Sequence, residues 1–142
     1  MILLDTNVLS ALMQAEADPV VVRWLDRLDP ASVWTTSITV FEVRYGLARR
    51  VPGRKTHQLE DAFEALIRED LESRVAPLDQ AAAEAAGLLA ARRVAAGRPV
   101  DFRDTLIAGI AIVNRAEIAT GNIRHFSDLE VRVNDPWYGA AR

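Results

Sequence analysis

The sequence contains no cysteine, which excludes disulfide bridges, thiolate zinc sites and cysteine nucleophiles at once. Histidine is nearly as scarce: His57 and His125 are the whole supply, too few for a histidine-rich metal centre. Any metal is therefore expected on oxygen ligands, which points to magnesium or manganese. Lysine is reduced to Lys55, so the other 16 of the 17 basic residues are arginine. Long apolar runs are also missing. The longest in the second half, Leu106 to Val113, is far short of the roughly 20 residues a membrane-spanning helix needs. The opening Met1-Ile2-Leu3-Leu4 is too short for a signal-peptide core and has no basic segment before it, so a cytoplasmic protein is expected. A net charge of -3 argues against a uniformly basic nucleic-acid coat, though not against a local basic patch.

What is there fits one globular domain across residues 1–142. Half the chain is hydrophobic and 26% is charged, a balance that supports a buried core without spanning a membrane. Short apolar segments read as strands over Met1–Leu4, Ala31–Thr36, Arg74–Leu78, Glu117–Thr120 and Leu129–Val133. Helices are expected at Val8–Met13, Val20–Leu28, Ser37–Arg50, Lys55–Glu72, Gln80–Ala96 and Val100–Arg115. Asp18-Pro19, Ser37 and Asp79 supply helix starts, and Val51-Pro52-Gly53 and Gly97-Arg98-Pro99 supply stops. Strands alternating with helices imply right-handed crossovers and a mostly parallel sheet covered on both faces. The expected fold is therefore α/β, a three-layer sandwich with a sheet of about five strands flanked by helices.

In an open parallel sheet, ligands bind beyond the carboxyl ends of the strands, where the strand order reverses. Acids that fall there carry the functional information. Asp5 sits at the exit of the first strand, where it is equally suited to cap the helix that follows. Glu42, in SITVFEVRYGL, lies one turn into the helix after strand two, with Ile38, Phe41, Tyr45 and Gly46 at helical spacing. It is thus expected on or beside an apolar face. Asp101 and Asp104, in RPVDFRDTLIAGIA, open a nearly all-apolar helix, and the helix dipole alone would favour carboxylates there. Asp104 shares a face with Ile107, Ala108 and Ala111. Thr120-Gly121-Asn122 brings polar groups to the same edge after strand four, with His125 a turn further on.

Convergence of Asp5, Glu42 and Asp104 would be electrostatically costly. Two carboxylates about 4 Å apart repel by on the order of 4 kcal/mol at an effective dielectric near 20. With the single lysine far away in sequence, a carboxylate-bound Mg²⁺ or Mn²⁺ is the economical compensation. Such an ion activates water for phosphodiester hydrolysis.

At this point the residues resemble a known family. ILLDTNVLSAL, TTSITVFEVRYGL, PVDFRDTLIAGIA, TGNIRHF and NDPW, in that order and over nearly the whole chain, resemble a PIN-domain ribonuclease. The likeness is to the VapC toxins of type II toxin-antitoxin pairs, in their FitB-like branch. The resemblance implies an endoribonuclease dependent on Mg²⁺ or Mn²⁺, usually homodimeric and silenced by a cognate VapB-like antitoxin. It implies RNA as substrate and DNA contact only through the antitoxin. Carried over by position, Asp5, Glu42 and Asp104 match the metal-binding acids. Asp101 matches an acid that recurs in the branch, and Thr6 and Asn7 match polar residues that support the first acid. Many members carry a fourth acid where this chain has Asn122, an amide that contributes no charge. Arg44, Arg103 and Arg124 neighbour the motifs and are candidate RNA contacts.

Two other classes compete. A response-regulator receiver also places acids at strand ends, but the sequence lacks a lysine after the last strand and a phosphoacceptor aspartate in place. A non-catalytic PIN-like module that binds RNA or antitoxin is the stronger competitor, motivated by the missing fourth acid.

Overall fold

Leu3 and Leu4 are adjacent in the first strand and both fully buried, yet they serve different cores. Successive strand residues point to opposite sheet faces, so this pair alone shows a sheet covered on both sides. The computed structural model describes residues 1–138; the last four residues of the expected 1–142 domain lie outside the described range. Its strands are β1 (Ile2–Leu4), β2 (Val33–Thr36), β3 (Val75–Ala76), β4 (Glu117–Ala119) and β5 (Val133–Asn134). Its α-helices are α1 (Thr6–Met13), α2 (Pro19–Leu25), α3 (Ser37–Ala48), α4 (Arg54–Ala65), α5 (Gln80–Ala95) and α6 (Phe102–Asn114). The sheet order is β3-β2-β1-β4-β5, and every pairing is parallel. The chain moves outward from β1 to β2 and β3, then returns to β1's other side for β4 and β5. The order therefore reverses at β1, and the crevice beyond its carboxyl end is the switch point.

Leu4, Val8, Leu9, Val43, Leu47 and Phe63 pack on one face of the sheet. Leu3, Ala82, Leu89, Ile107, Ile110 and Ile118 pack on the other. Among the described residues no helix is long and apolar enough to cross a membrane. The apolar stretch of α6 is explained by its role as the core helix, with Ile107, Ala108, Ile110 and Ala111 all at 1% exposure or less.

The helix starts follow the sequence chemistry closely. Asp18 accepts from the Val20 amide (2.9 Å) with Pro19 at the first position, and Asp79 accepts from the Ala82 amide (2.9 Å). Three expectations are corrected. The cap of α3 is Thr36, whose hydroxyl accepts from the Thr39 amide at 3.0 Å; Ser37 begins the helix and accepts from the Leu78 amide instead. The helix expected from Val100 begins at Phe102, with Asp101 as its cap. The fifth strand is not Leu129–Val133 but Val133–Asn134. Leu129, Val131 and Val133 alternate because they pack on the α6-side core, and ladder bonds to β4 start only at the Arg132 and Asn134 carbonyls.

Helices α5 and α6 pack backbone against backbone at Gly109. A Cβ built there would stand 2.4 Å from the Ala82 carbonyl oxygen and 2.7 Å from the Ala86 Cβ. Backbone cannot yield as a flexible side chain would, so Gly109→Ala is expected to destabilise the fold by about 2 kcal/mol. Urea denaturation checks this, with Gly87→Ala, where a Cβ meets nothing within 4 Å, as the control expected not to destabilise.

Candidate active site

Asp5 follows β1 directly at the switch point and is 4% exposed. One carboxylate oxygen accepts from the Thr6 amide at 2.8 Å, so the residue does cap α1. The other accepts from the Thr120 hydroxyl at 2.8 Å and the Asn7 amide at 3.3 Å. Asn7 also donates to Thr120 Oγ1 (3.1 Å) and accepts from the Gly121 amide (2.9 Å). The exits of β1 and β4 are thereby tied together around one carboxylate. Capping and site placement are thus not alternatives for Asp5: the cap bond uses one oxygen, and the edge of the sheet supplies partners for the other.

Glu42 projects from α3 toward the same place. Its side chain is 16% exposed, accepts from the Thr6 hydroxyl at 3.1 Å, and lies 3.9 Å from the Arg103 guanidinium. The apolar face expected around it is corrected. The buried side of α3 is Thr39, Val43 and Leu47, whereas Phe41 and Tyr45 are 58% and 50% exposed and stack on each other. Glu42 sits at the border between the two sides, within reach of the site.

Asp104 lies on the first turn of α6, and its Oδ2 is 2.5 Å from His125 Nδ1. Asp101 is turned outward: it caps the helix by accepting from the Asp104 amide (3.1 Å) and lies 3.9 Å from Arg103. Arg103 therefore bridges Asp101 and Glu42 at the rim. Thr6 and Asn7 hold Glu42 and Asp5 respectively. Asn122 is exposed, and its amide nitrogen bonds to Thr120 Oγ1 at 3.0 Å. Arg124 is exposed beside the site, lining a cavity of about 200 Å³ with Asp101, Asp104 and His125. Arg44 is instead paired with Glu64 and stacked over Phe63, so it is committed away from the acids.

Sequence reasoning brought Thr120 to this edge with His125 a turn further on but named a partner for neither, and it passed over Arg93. The signal for Arg93 was present: it extends the stripe Ala82, Ala86, Leu89 of α5 and is itself 4% exposed. The signal for His125 was its spacing, three residues beyond Asn122 on a single turn.

Asp5 and Glu42 are both raised by burial and by neighbouring acids. Burial pushes the Asp5 carboxyl above its ordinary value of 3.8 and the Asp104 charge adds to this, while the bonds from Thr120 and Thr6 pull it down. Burial likewise raises Glu42 above 4.5, with Asp5 and Asp104 adding to the rise and Thr6 and Arg103 opposing it. A carboxyl whose folded pKa is raised stabilises the fold below the unfolded pKa, and that contribution is lost as pH climbs through the folded pKa. Without divalent cation, the wild type is therefore expected to lose stability relative to Asp5→Asn as pH rises above 3.8. Melts of both proteins in chelator across pH check this; a constant gap would contradict it.

The PIN domain family model matches residues 2–131. The chain belongs to the PIN-domain family. Two PIN-domain relatives are similar over almost their full length. VapC ribonuclease Y4jK of Sinorhizobium fredii is 31% identical over 137 residues, covering 96% of this chain and 98% of the relative. Toxin FitB of Neisseria gonorrhoeae is 32% identical over 138 residues, covering 97% and 99%. The structure of FitAB bound to an IR36 DNA fragment matches this PIN domain with a TM-score of 0.86 at 32% identity, over 96% of each chain. The resemblance read from the motifs and the α/β sandwich expected with it both hold.

The donor set of this PIN domain fits the metal that the family implies. Three carboxylates on three separate elements, two with pKa values raised partly by the other acids, form a hard, oxygen-rich and under-compensated cluster of the kind Mg²⁺ or Mn²⁺ binds. Among the described residues no three His, Asp or Glu side chains enclose a common point as they lie. Asp104 Oδ2 is in contact with His125 Nδ1, and Glu42 is bonded to Thr6 and paired with Arg103.

Proposed function

We propose that this chain, acting as a single PIN domain over residues 1–142, is a Mg²⁺- or Mn²⁺-dependent endoribonuclease and the toxin of a type II toxin-antitoxin pair. The observation that carries this reading is the gathering of Asp5, Glu42 and Asp104 at the switch point, where burial and the Asp104 charge raise the Asp5 carboxyl and burial with both aspartates raises Glu42. The names of its relatives, a VapC ribonuclease and the toxin FitB, support it.

In this reading Asp5 and Asp104 hold the ion and Glu42 binds it or orients the attacking water. The ion supplies a water of lowered pKa and charge to match the phosphodiester oxygens. The chain's own residues do the positioning. Thr120, Asn7 and the Thr6 amide fix Asp5 in one orientation. The Thr6 hydroxyl sets Glu42. Arg103 and Arg124, exposed at the rim, are placed to meet phosphates flanking the scissile one; Arg44 is left out because of its pairing with Glu64. Asp101 and Asn122 shape the rim without entering the acid cluster.

The proposed partners are an RNA substrate, a cognate VapB-like antitoxin and a second copy of the chain, in the cytoplasm. DNA is reached only through the antitoxin. The test is incubation of RNA with the purified chain in Mg²⁺, Mn²⁺ or chelator. Cleavage that appears only with divalent cation supports the enzyme. RNA or antitoxin binding without cleavage under any of these conditions would instead favour a non-catalytic PIN module.

A further inference from the structure

We propose that His125 is a positioning residue for the acid cluster: its Nδ1–H donates to Oδ2 of Asp104 and so leaves Oδ1 as the oxygen presented to a divalent cation. The inference rests on the metal-dependent reading above and names a residue that reading does not use.

Two observations carry it. The Nδ1–Oδ2 distance is 2.5 Å, and among the described residues no protein donor reaches Oδ1. The imidazole is presented by a turn that cannot drift. The His125 carbonyl accepts from the buried Arg93 guanidinium at 2.9 Å, and its amide donates to the Asn122 carbonyl at 3.1 Å. Next to it, Phe126 is fully buried. Arg93 is in turn locked by two 2.8 Å bonds to Asp128 and one of 3.0 Å to Thr105, whose own hydroxyl donates to the Asp101 carbonyl at the start of α6. The turn that carries His125 and the helix that carries Asp104 are thus pinned to the same guanidinium.

A neutral Nδ1–H tautomer and an imidazolium both donate from Nδ1, so the positioning does not depend on which form is present. The role is one that Asn122, whose contact with the network is through its backbone nitrogen, does not fill. Groups that orient metal ligands in this way are commonly worth 10- to 100-fold in metal affinity.

The experiment is Mn²⁺ binding, followed by loss of the free-ion electron paramagnetic resonance signal, to the full chain as wild type, His125→Ala, His125→Asn and Asp104→Asn. Melting of each in chelator accompanies it. The His125 side chain is 53% exposed, so both replacements are expected to leave the melting temperature in chelator unchanged. His125→Ala is expected to weaken Mn²⁺ binding at least about tenfold, and His125→Asn, whose amide restores a donor, to stay within about threefold of wild type. His125→Ala binding as tightly as wild type, or His125→Asn binding as weakly as His125→Ala, would overturn the proposal. If wild type binds, Asp104→Asn does not, and His125→Ala matches wild type, the metal reading stands and only the role of His125 falls. If wild type takes up no Mn²⁺, both fall together.

Discussion

Asp5→Asn and Asp104→Asn are each expected to slow cation-dependent RNA cleavage by about a thousandfold, the upper end of what removing one electrostatic group from an active site costs. Neither loss should come from unfolding. Asparagine caps helices about as well as aspartate, so Asp5→Asn keeps the bond from the Thr6 amide. The oxygen that is replaced is the one accepting from Thr120 and Asn7, and Thr120 Oγ1 already accepts from Asn7 and the Asn122 backbone amide, so those two bonds are lost. Asp5 is 4% exposed, and burial is the main cause of its raised pKa. Replacing a buried, self-repelling charge with a neutral amide removes a desolvation cost. Relief of that cost offsets the two lost bonds, so the Asp5→Asn variant should stay folded, melting near the wild-type temperature at neutral pH, while cleaving about a thousandfold more slowly. That combination separates a functional acid from a structural one. Single-turnover cleavage rates and melting curves on the same preparations measure it, and undiminished cleavage by both variants would sink the site.

Arg93→Met is expected to destabilise the fold by about 3–5 kcal/mol, the cost of breaking a buried ion pair from one side. The guanidinium is 4% exposed and bonds Asp128 through two nitrogens, Thr105 Oγ1 and the His125 carbonyl. Its removal leaves the Asp128 carboxylate with only Arg98, 3.8 Å away, and leaves the His125 carbonyl without its donor. Replacing Asp128 as well, in Arg93→Met with Asp128→Leu, should recover part of the loss because no unpaired charge remains. The pH dependence has the opposite sign to that of Asp5. The bond from Arg93 holds the Asp128 carboxyl below its ordinary 3.8, so the pair's contribution is present above 3.8 and lost as pH falls through the depressed value. The gap between wild type and Arg93→Met should accordingly narrow on acidification below 3.8. Urea denaturation from neutral pH downward checks both magnitude and direction.

The architecture was legible where local chemistry and global packing agree. Asp18-Pro19 and Asp79 mark helix starts because an aspartate side chain bonds backbone amides two or three residues on, with no help from the rest of the fold. Asp5, Glu42 and Asp104 were legible for a related reason: a strand exit, the second turn of α3 and the first turn of α6 meet on one sheet edge once the sheet is parallel. The fifth strand was misread because alternation reports which side chains are buried, not whether the backbone has a ladder partner. Phe41 and Tyr45 were misread because helical spacing identifies a face without saying which face the core covers. Arg93 and His125 were the hardest to see. Their roles exist only through contacts to Asp128 and Asp104, 35 and 21 residues away in sequence.

The end groups of the cleaved RNA test the central claim most directly. If the acid cluster directs a water at the phosphodiester, the products carry 5′-phosphate and 3′-hydroxyl ends, and they disappear in chelator and in Asp104→Asn. Products with 5′-hydroxyl and 2′,3′-cyclic phosphate ends would show attack by the RNA's own 2′-hydroxyl and contradict the account.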